Sequence, residues 1–374
     1  MTAPLPRRGF STTSADSRAV PYADGPLGLT ARGSNAVGAG ACDDRLMAIH
    51  GDGLLFGIYP GGVAGDDAGG LASGPSDDPD LITSALDHLQ GRAGRPFLVR
   101  AYLAFTDDTS SGVSHPTSTP TEAARYAADG RSLDLVAQYQ SRRGDVAGYV
   151  GFVRELVAEY GAVTATLQIT EEPNVTGNPV LDGDYPRVTE AIIAGVAAAE
   201  QAAHRLGQHH LRVGFNTTPL FGPAASFVTD LAAHGGHSFV DNLDYVGLDF
   251  FPDVFRPVAA GDLAAAAEGL LRYHRDTILT PAGLGDVSMH ITEHGWPTGP
   301  DRSPDRQAEV IETVLGVVAA VAKPLQLSGY THFALRDAHS AQPGLFHQFG
   351  LTRDDYTPKP ALDTYRRLIN QLSA

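Results

Sequence analysis

The sequence predicts an α/β fold, a single (β/α)8 barrel with an irregular N-terminal extension, and three observations carry that prediction. At 374 residues the chain is long enough for one such barrel. From Leu54 onward, eight short apolar runs alternate with segments of helical period. The rival, an open doubly wound sheet, lacks its Gly-rich phosphate turn. Gly57-Ile58-Tyr59-Pro60-Gly61-Gly62 has the wrong spacing, and Pro60 removes an N–H that a phosphate would want.

Residues 1–50 are rich in Gly, Ala, Ser, Pro and Asp without periodicity, so they are expected to form the extension, with residues 51–374 as the barrel. The expected strands are Leu54–Tyr59, Phe97–Tyr102, Leu133–Tyr139, Val163–Thr170, Leu211–Asn216, Tyr245–Phe251, Ser288–Thr292 and Gly329–Leu335. Between them, Val146, Tyr149, Val150, Val153, Leu156, Val157 and Tyr160 recur at helical spacing and stop at Gly161, read as a C-terminal cap. Ile192, Val196, Ala199, Ala203 and Leu206 do the same before Gly207. Ser303-Pro304 opens another helix in the favoured cap-then-proline order, and a last helix starts near Pro360. His209-His210 and His234-Gly235-Gly236-His237 are expected in helix-to-strand connections, at the end of the barrel away from the site.

Hydrophobic residues make up 43% and charged residues 19%, as in a folded globular protein. The net charge of −16 repels phosphate backbones and anionic lipid, so neither nucleic acid nor a membrane surface is an expected partner. No run of 18 apolar residues exists to span a bilayer. Arg7-Arg8 is followed by polar residues and not by an apolar stretch, so the expected location is cytoplasmic. Asn174-Val175-Thr176 and Asn216-Thr217-Thr218 are then chance sequon matches. Cys42 is the sole cysteine, which rules out an internal disulfide and thiolate metal clusters. The two lysines, Lys323 and Lys359, lie in polar or proline-flanked stretches and neither reads as buried at a strand end, which argues against Schiff-base chemistry.

Two carboxylate motifs close apolar runs: Gln168-Ile169-Thr170-Glu171-Glu172-Pro173-Asn174 and His290-Ile291-Thr292-Glu293-His294-Gly295-Trp296-Pro297. Side chains at the C-terminal ends of barrel strands point into the active-site mouth, and glycoside hydrolysis needs one carboxyl as acid and another as base or nucleophile. With Glu172 after the fourth strand and Glu293 ending the seventh, the chain resembles the clan A glycoside hydrolases, the retaining barrel glycosidases. Glu172-Pro173-Asn174 is similar to that clan's Asn-Glu-Pro signature except at its first position, and Thr292–Pro297 looks like its nucleophile motif in the β-1,3-glucanase-like form. The resemblance implies Glu293 as nucleophile and Glu172 as acid/base. Glu293 must then rest ionised and Glu172 protonated, with the carboxyls about 5–5.5 Å apart.

This chain departs from the clan at two places. Glu171 stands where the clan has an asparagine that donates to the sugar 2-hydroxyl; a carboxylate accepts from a sugar hydroxyl or is turned away. Strand six reads Gly247-Leu248-Asp249-Phe250-Phe251-Pro252, without the tyrosine that commonly bonds the nucleophile, which leaves Asp249 and Phe251 as lining or core residues. Arg100, a lone charge in an apolar run, wants a buried carboxylate such as Glu293. Trp296 and Tyr59 are expected to offer aromatic faces to a sugar, and Asn216, His294, His332 and Asp337 are further substrate-binding candidates. The histidines lack close metal-ligand spacing, so no metal or cofactor is expected. The expected activity is retaining β-glycoside hydrolysis, exo-acting on oligosaccharides or glycoconjugates. The loops Pro60–Pro79, Thr106–Thr121 and Asp337–Phe349 are expected to shape specificity. A catalytically inactive carbohydrate-binding barrel and a metal-dependent barrel hydrolase are the alternatives.

Overall fold

Eight parallel strands close into a barrel in the computed structural model, which describes residues 53–66, 69–107 and 118–373. They are β1 (Leu55–Tyr59), β2 (Phe97–Thr106), β3 (Arg131–Gln140), β4 (Thr164–Ile169), β5 (Arg212–Thr217), β6 (Tyr245–Asp249), β7 (Ser288–His294) and β8 (Leu327–Phe333). Each pairs with the next, and β1 closes the ring against β8. All eight expected strands are present, with ends displaced by a few residues. The expected extension over residues 1–50, with Cys42 and Arg7-Arg8, lies outside the described residues.

Among the described residues seven α-helices flank the barrel: α1 (Pro79–Gln90), α2 (Val146–Tyr160), α3 (Val188–Leu206), α4 (Phe227–Asp241), α5 (Leu263–Tyr273), α6 (Pro304–Val321) and α7 (Pro360–Leu372). Among the described residues between β2 and β3 the only helical element is a single 3-10 turn, Ala123–Tyr126. None of these helices is long and apolar enough to cross a membrane. Their ends follow from local chemistry. Asp78 caps α1 by accepting from the N–H groups of Asp80 and Leu81, with Pro79 at the first helical position. Gly207 closes α3 at φ 69°, a conformation glycine adopts without strain, and donates to the Ala203 and His204 carbonyls.

α2 ends at Tyr160 with Gly161 as its C-cap, as expected; Gly161 keeps a right-handed φ of −55° and opens a 3-10 turn, Gly161–Val163, that feeds β4 directly. One other reading needs correction. His234–His237 lie inside α4 and not in a connection; Gly236, at φ 64°, kinks the helix there. Glycines in that segment looked like a loop because helix propensity is poor, yet Val228, Leu231 and Phe239 bury the helix against the barrel.

The barrel interior changes character along its axis. Leu55, Leu98 and Ala165 form a small apolar cluster. Other interior positions are polar and buried: Arg100, Asp134, Thr166, Gln168, Asn216, Asp249, Thr292 and Thr331. Gly247 makes room for this layer, since a Cβ there would lie 2.7 Å from Thr292 Cγ2 and 2.8 Å from Asn216 Cβ. The main apolar core sits outside, between strands and helices.

A bulge in β7 aims the key side chains. Against β6, Leu248 pairs with Ile291 but Asp249 pairs with Glu293; against β8, Tyr330 pairs with Ile291 but His332 with His294. Both neighbours thus register one extra residue in β7. An extra residue interrupts the alternation of faces, so consecutive Thr292 and Glu293 both find partners inside the barrel: Thr292 reaches Asp249 and Glu293 reaches Tyr102.

Candidate active site

At the C-terminal end of the strands a cavity of about 810 Å3 opens. Its polar floor includes Glu171, Glu172, Asp249, Glu293 and Tyr102, and Tyr59 and Phe251 stand on its walls. Of the sequence-predicted residues, Glu172, Glu293, Tyr59, Glu171, Asp249 and Phe251 therefore line one space.

Arg100, fully buried, organises the floor from below. Its Nη1 donates to Asp134 at 3.0 Å, its Nη2 to Gln168 at 3.0 Å and to Glu171 at 3.1 Å. Its Nε donates to the Tyr102 hydroxyl at 2.7 Å and lies 3.4 Å from Glu293 Oε1. Tyr102 in turn donates to Glu293. Arg100 and Tyr102 are two residues apart on β2 and so share a face. Tyr102 thus gives Glu293 the hydroxyl that β6 does not offer, and the sequence reading missed it; the i, i+2 spacing from Arg100 was the available signal.

Glu172 is held by its backbone. Its N–H donates to Asn216 Oδ1 at 3.0 Å, and the same Asn216 donates from Nδ2 to Asp249 at 2.5 Å. Asn216 is fully buried and does not line the cavity; it clamps β4 to β6 beneath the floor. Thr170 and Glu172 sit at φ 69° and 43°, left-handed values that a non-glycine residue adopts at a cost. Asp182 fixes the intervening turn by accepting from the N–H groups of Glu171, at 2.8 Å, and Tyr139, at 2.7 Å.

One guanidinium cannot neutralise this many acids. Burial raises the pKa of Glu171 and Glu172 well above the usual range; Asp249 adds to the shift at Glu171, and the Glu171 and Glu293 charges add to it at Glu172. Asp249 is raised well above its range by burial and by Glu293 and Glu172. Burial also raises Glu293, but Arg100 and the Tyr102 hydroxyl pull it back. Both glutamates therefore sit above the usual range: Glu172, which shares a hydrogen bond with Asp249, well above it, and Glu293 against the opposing pull of Arg100 and Tyr102.

Glu171, Glu172 and Asp249 bring carboxylate oxygens within 4.8 Å of one another, which bears on metal binding. Part of this set is already engaged: Glu171 Oε2 accepts from Arg100 and Gln168, and Asp249 accepts from Asn216 and Thr292. A cation here would adjoin the Arg100 guanidinium, which already pairs with Glu171 at 3.1 Å, so the donor set suits shared protons better than a metal.

The remaining predicted residues lie outside the cavity lining. His294 follows Glu293 on β7 and is fully buried against Phe250 and Tyr330, with Nδ1 bonded to the Tyr330 hydroxyl; burial lowers its pKa to about 3. His332 packs against Tyr330 and Tyr365, between β8 and α7. Trp296 turns toward α6, where its carbonyl accepts from Gln307 and Arg302 lies 5.3 Å above its ring. Asp337 forms an ion pair with Lys359 at 2.6 Å. Lys359, expected in a polar stretch between two prolines and away from strand ends, sits at the start of α7 and is buried in that pair. Phe333, Phe346 and Phe349 line the cavity and were not anticipated individually.

Comparison with solved structures places the barrel among known ones. A family 39 glycoside hydrolase from the gut symbiont Bacteroides cellulosilyticus WH2 superposes with a TM-score of 0.59 at 16% identity, covering 86% of this chain and 64% of that one. A β-glucosidase from Thermotoga maritima in complex with castanospermine gives 0.56 at 14% identity, covering 86% and 98%. An active-site mutant of Rhizomucor miehei β-1,3-glucanosyltransferase in complex with laminaritriose gives 0.51 at 17%, covering 82% and 96%. This chain thus spans less than two thirds of the family 39 structure, and at these identities the likeness establishes the fold. No protein-family model and no curated protein matches the chain.

Proposed function

We propose that this chain is a retaining β-glycoside hydrolase, exo-acting on oligosaccharides or glycoconjugates. The observation that carries the reading is that Glu172 and Glu293, from β4 and β7, open into one cavity, Glu172 held well above the usual carboxylate range and Glu293 alone of the two bonded to Arg100 and Tyr102, which support its charge. In the first step Glu293 attacks the anomeric carbon while Glu172 gives its proton to the departing glycosidic oxygen. The product is a glycosyl ester on Glu293 and a free alcohol. In the second step Glu172 takes a proton from water, which displaces Glu293 and leaves the sugar with its starting configuration. Arg100 and Tyr102 steady the Glu293 anion before attack and after release. The fold shared with solved glycosidases supports the same class, and the expected cytoplasmic setting belongs to this proposal.

The test is a glycoside screen with the first-formed anomer read by NMR. A retained anomer is expected, together with a loss of at least about 10^3-fold in kcat for Glu293→Ala. An inverted product, or full turnover by Glu293→Ala, would overturn the mechanism. Turnover is expected to survive chelator.

A further inference from the structure

The wall of the cavity changes character between floor and mouth. From Tyr102, which holds Glu293, aromatic rings run outward in contact: Tyr59 at 5.3 Å, Phe333 stacked on it at 5.2 Å, then Phe349 at 5.6 Å. From Phe349 the row forks to Phe251 at 5.8 Å and Phe346 at 6.1 Å, and both branches meet Phe255, at 5.9 and 6.1 Å. Beyond Tyr59 every ring is phenylalanine, with no hydroxyl or indole N–H to offer a sugar. At the lip, Phe255 is 57% exposed, Phe221 47% and Leu71 61%, and all three line the cavity. Large apolar side chains left in water around a concave site mark a binding surface.

Two polar side chains of the lining are engaged within the protein, and Arg256 lies 5.9 Å over the Phe221 ring at the lip, away from the Phe333–Phe349–Phe251 row. Asn178 donates to the Asp66 carbonyl at 2.9 Å and accepts from the Val180 N–H at 3.2 Å. Asp253 accepts from the Val258 N–H at 2.8 Å and faces Arg306 at 3.8 Å. A second and third sugar laid along the phenylalanine row would lose water from its hydroxyls without regaining hydrogen bonds, whereas an alkyl or aryl group would lose nothing.

We propose that the site takes glycosides whose leaving group is apolar, an alkyl or aryl alcohol lying along Phe333, Phe349, Phe251 and Phe255 while the sugar rests on the carboxylate floor. This rests on the glycosidase reading and chooses glycoconjugates over oligosaccharides within it. The departing alcohol takes the Glu172 proton and leaves along the apolar wall.

The experiment compares methyl, n-octyl and phenyl β-glycosides, below micellar concentration, with the matching disaccharides across a panel of glycones. Turnover is followed on the native protein, and binding by calorimetry on Glu293→Gln. The octyl glycoside is expected to exceed the methyl glycoside by at least about ten-fold in kcat/KM and in affinity, through burial of its extra methylenes. Phe255→Ser, at an exposed position with little effect on folding, is expected to shrink that ratio at least three-fold. The phenyl arm separates a planar from a flexible leaving group. Octyl preference in binding without any turnover would uphold the apolar site and sink the hydrolase reading. Turnover that favours disaccharides, or no octyl preference in either measurement, would overturn the proposal.

Discussion

A single hydroxyl joins the two charges at the centre of the site. Tyr102 accepts from Arg100 and donates to Glu293, so it transmits the guanidinium's pull to the Glu293 carboxylate, the proposed nucleophile. Hydrogen bonds to charged groups contribute roughly 1.5–3 kcal/mol, which is about one to two pKa units. Tyr102→Phe is therefore expected to raise the Glu293 pKa, because the anion loses a donor that the neutral acid needs less. The acid limb of kcat/KM should move about one unit to higher pH, with kcat reduced roughly 10–100-fold. An unmoved acid limb would show that Tyr102 is only packing. Arg100 was readable from sequence because a charge inside an apolar run demands a partner. Tyr102 was not, because a tyrosine in a strand is unremarkable until its partner across the barrel is known.

At the scale of elements, the turn after β4 carries Glu172 and depends on one buried acid. Asp182 is fully buried; it holds two backbone N–H groups on Oδ2 and leaves Oδ1 without a partner. Burial outweighs those hydrogen bonds and pushes its pKa up to about 7 from 3.8. With the folded value above the unfolded one, its contribution to stability is complete below about pH 4 and is lost as pH rises through about 7. Asp182→Asn keeps an acceptor for both N–H groups and cannot ionise. It should be more stabilising relative to wild type at pH 8 than at pH 5, by on the order of 1–3 kcal/mol in urea unfolding. Equal effects at both pH values would mean that Asp182 does not titrate in this range. Neither this turn nor the β7 bulge was legible in the sequence. Periodicity shows that a strand exists, but one extra residue in it only appears when the neighbours' registers are compared. His234–His237 were misread as a connection for a related reason, since glycine signals a permitted break and tertiary packing decides whether the break occurs.

For the molecule as a whole, alternation of apolar runs was enough to give the barrel, because eight buried parallel strands each need a continuous hydrophobic stretch. What alternation does not reveal is how α7 ties β1 at one end and the loops of the barrel mouth at the other. The Tyr365 hydroxyl of α7 donates to the Gly57 carbonyl of β1 at 2.6 Å, and Leu54 bridges to Ser373. At the other end of α7, Lys359 donates to Asp337 at 2.6 Å and to Thr298 at 3.0 Å, tying the loops after β7 and β8 together. Burial lowers the Lys359 pKa and raises that of Asp337, and each charge partly restores the other. Lys359→Met should leave Asp337 buried without its cation, at a cost of about 3–5 kcal/mol. Asp337→Asn combined with Lys359→Met removes the stranded charge and should recover much of that loss. The loop between them carries Phe346 and Phe349, so Lys359→Met should also weaken kcat/KM for octyl glycosides more than for methyl ones. A single mutant within about 1 kcal/mol of wild type in urea unfolding would show that the pair is a bystander and that packing alone closes the mouth.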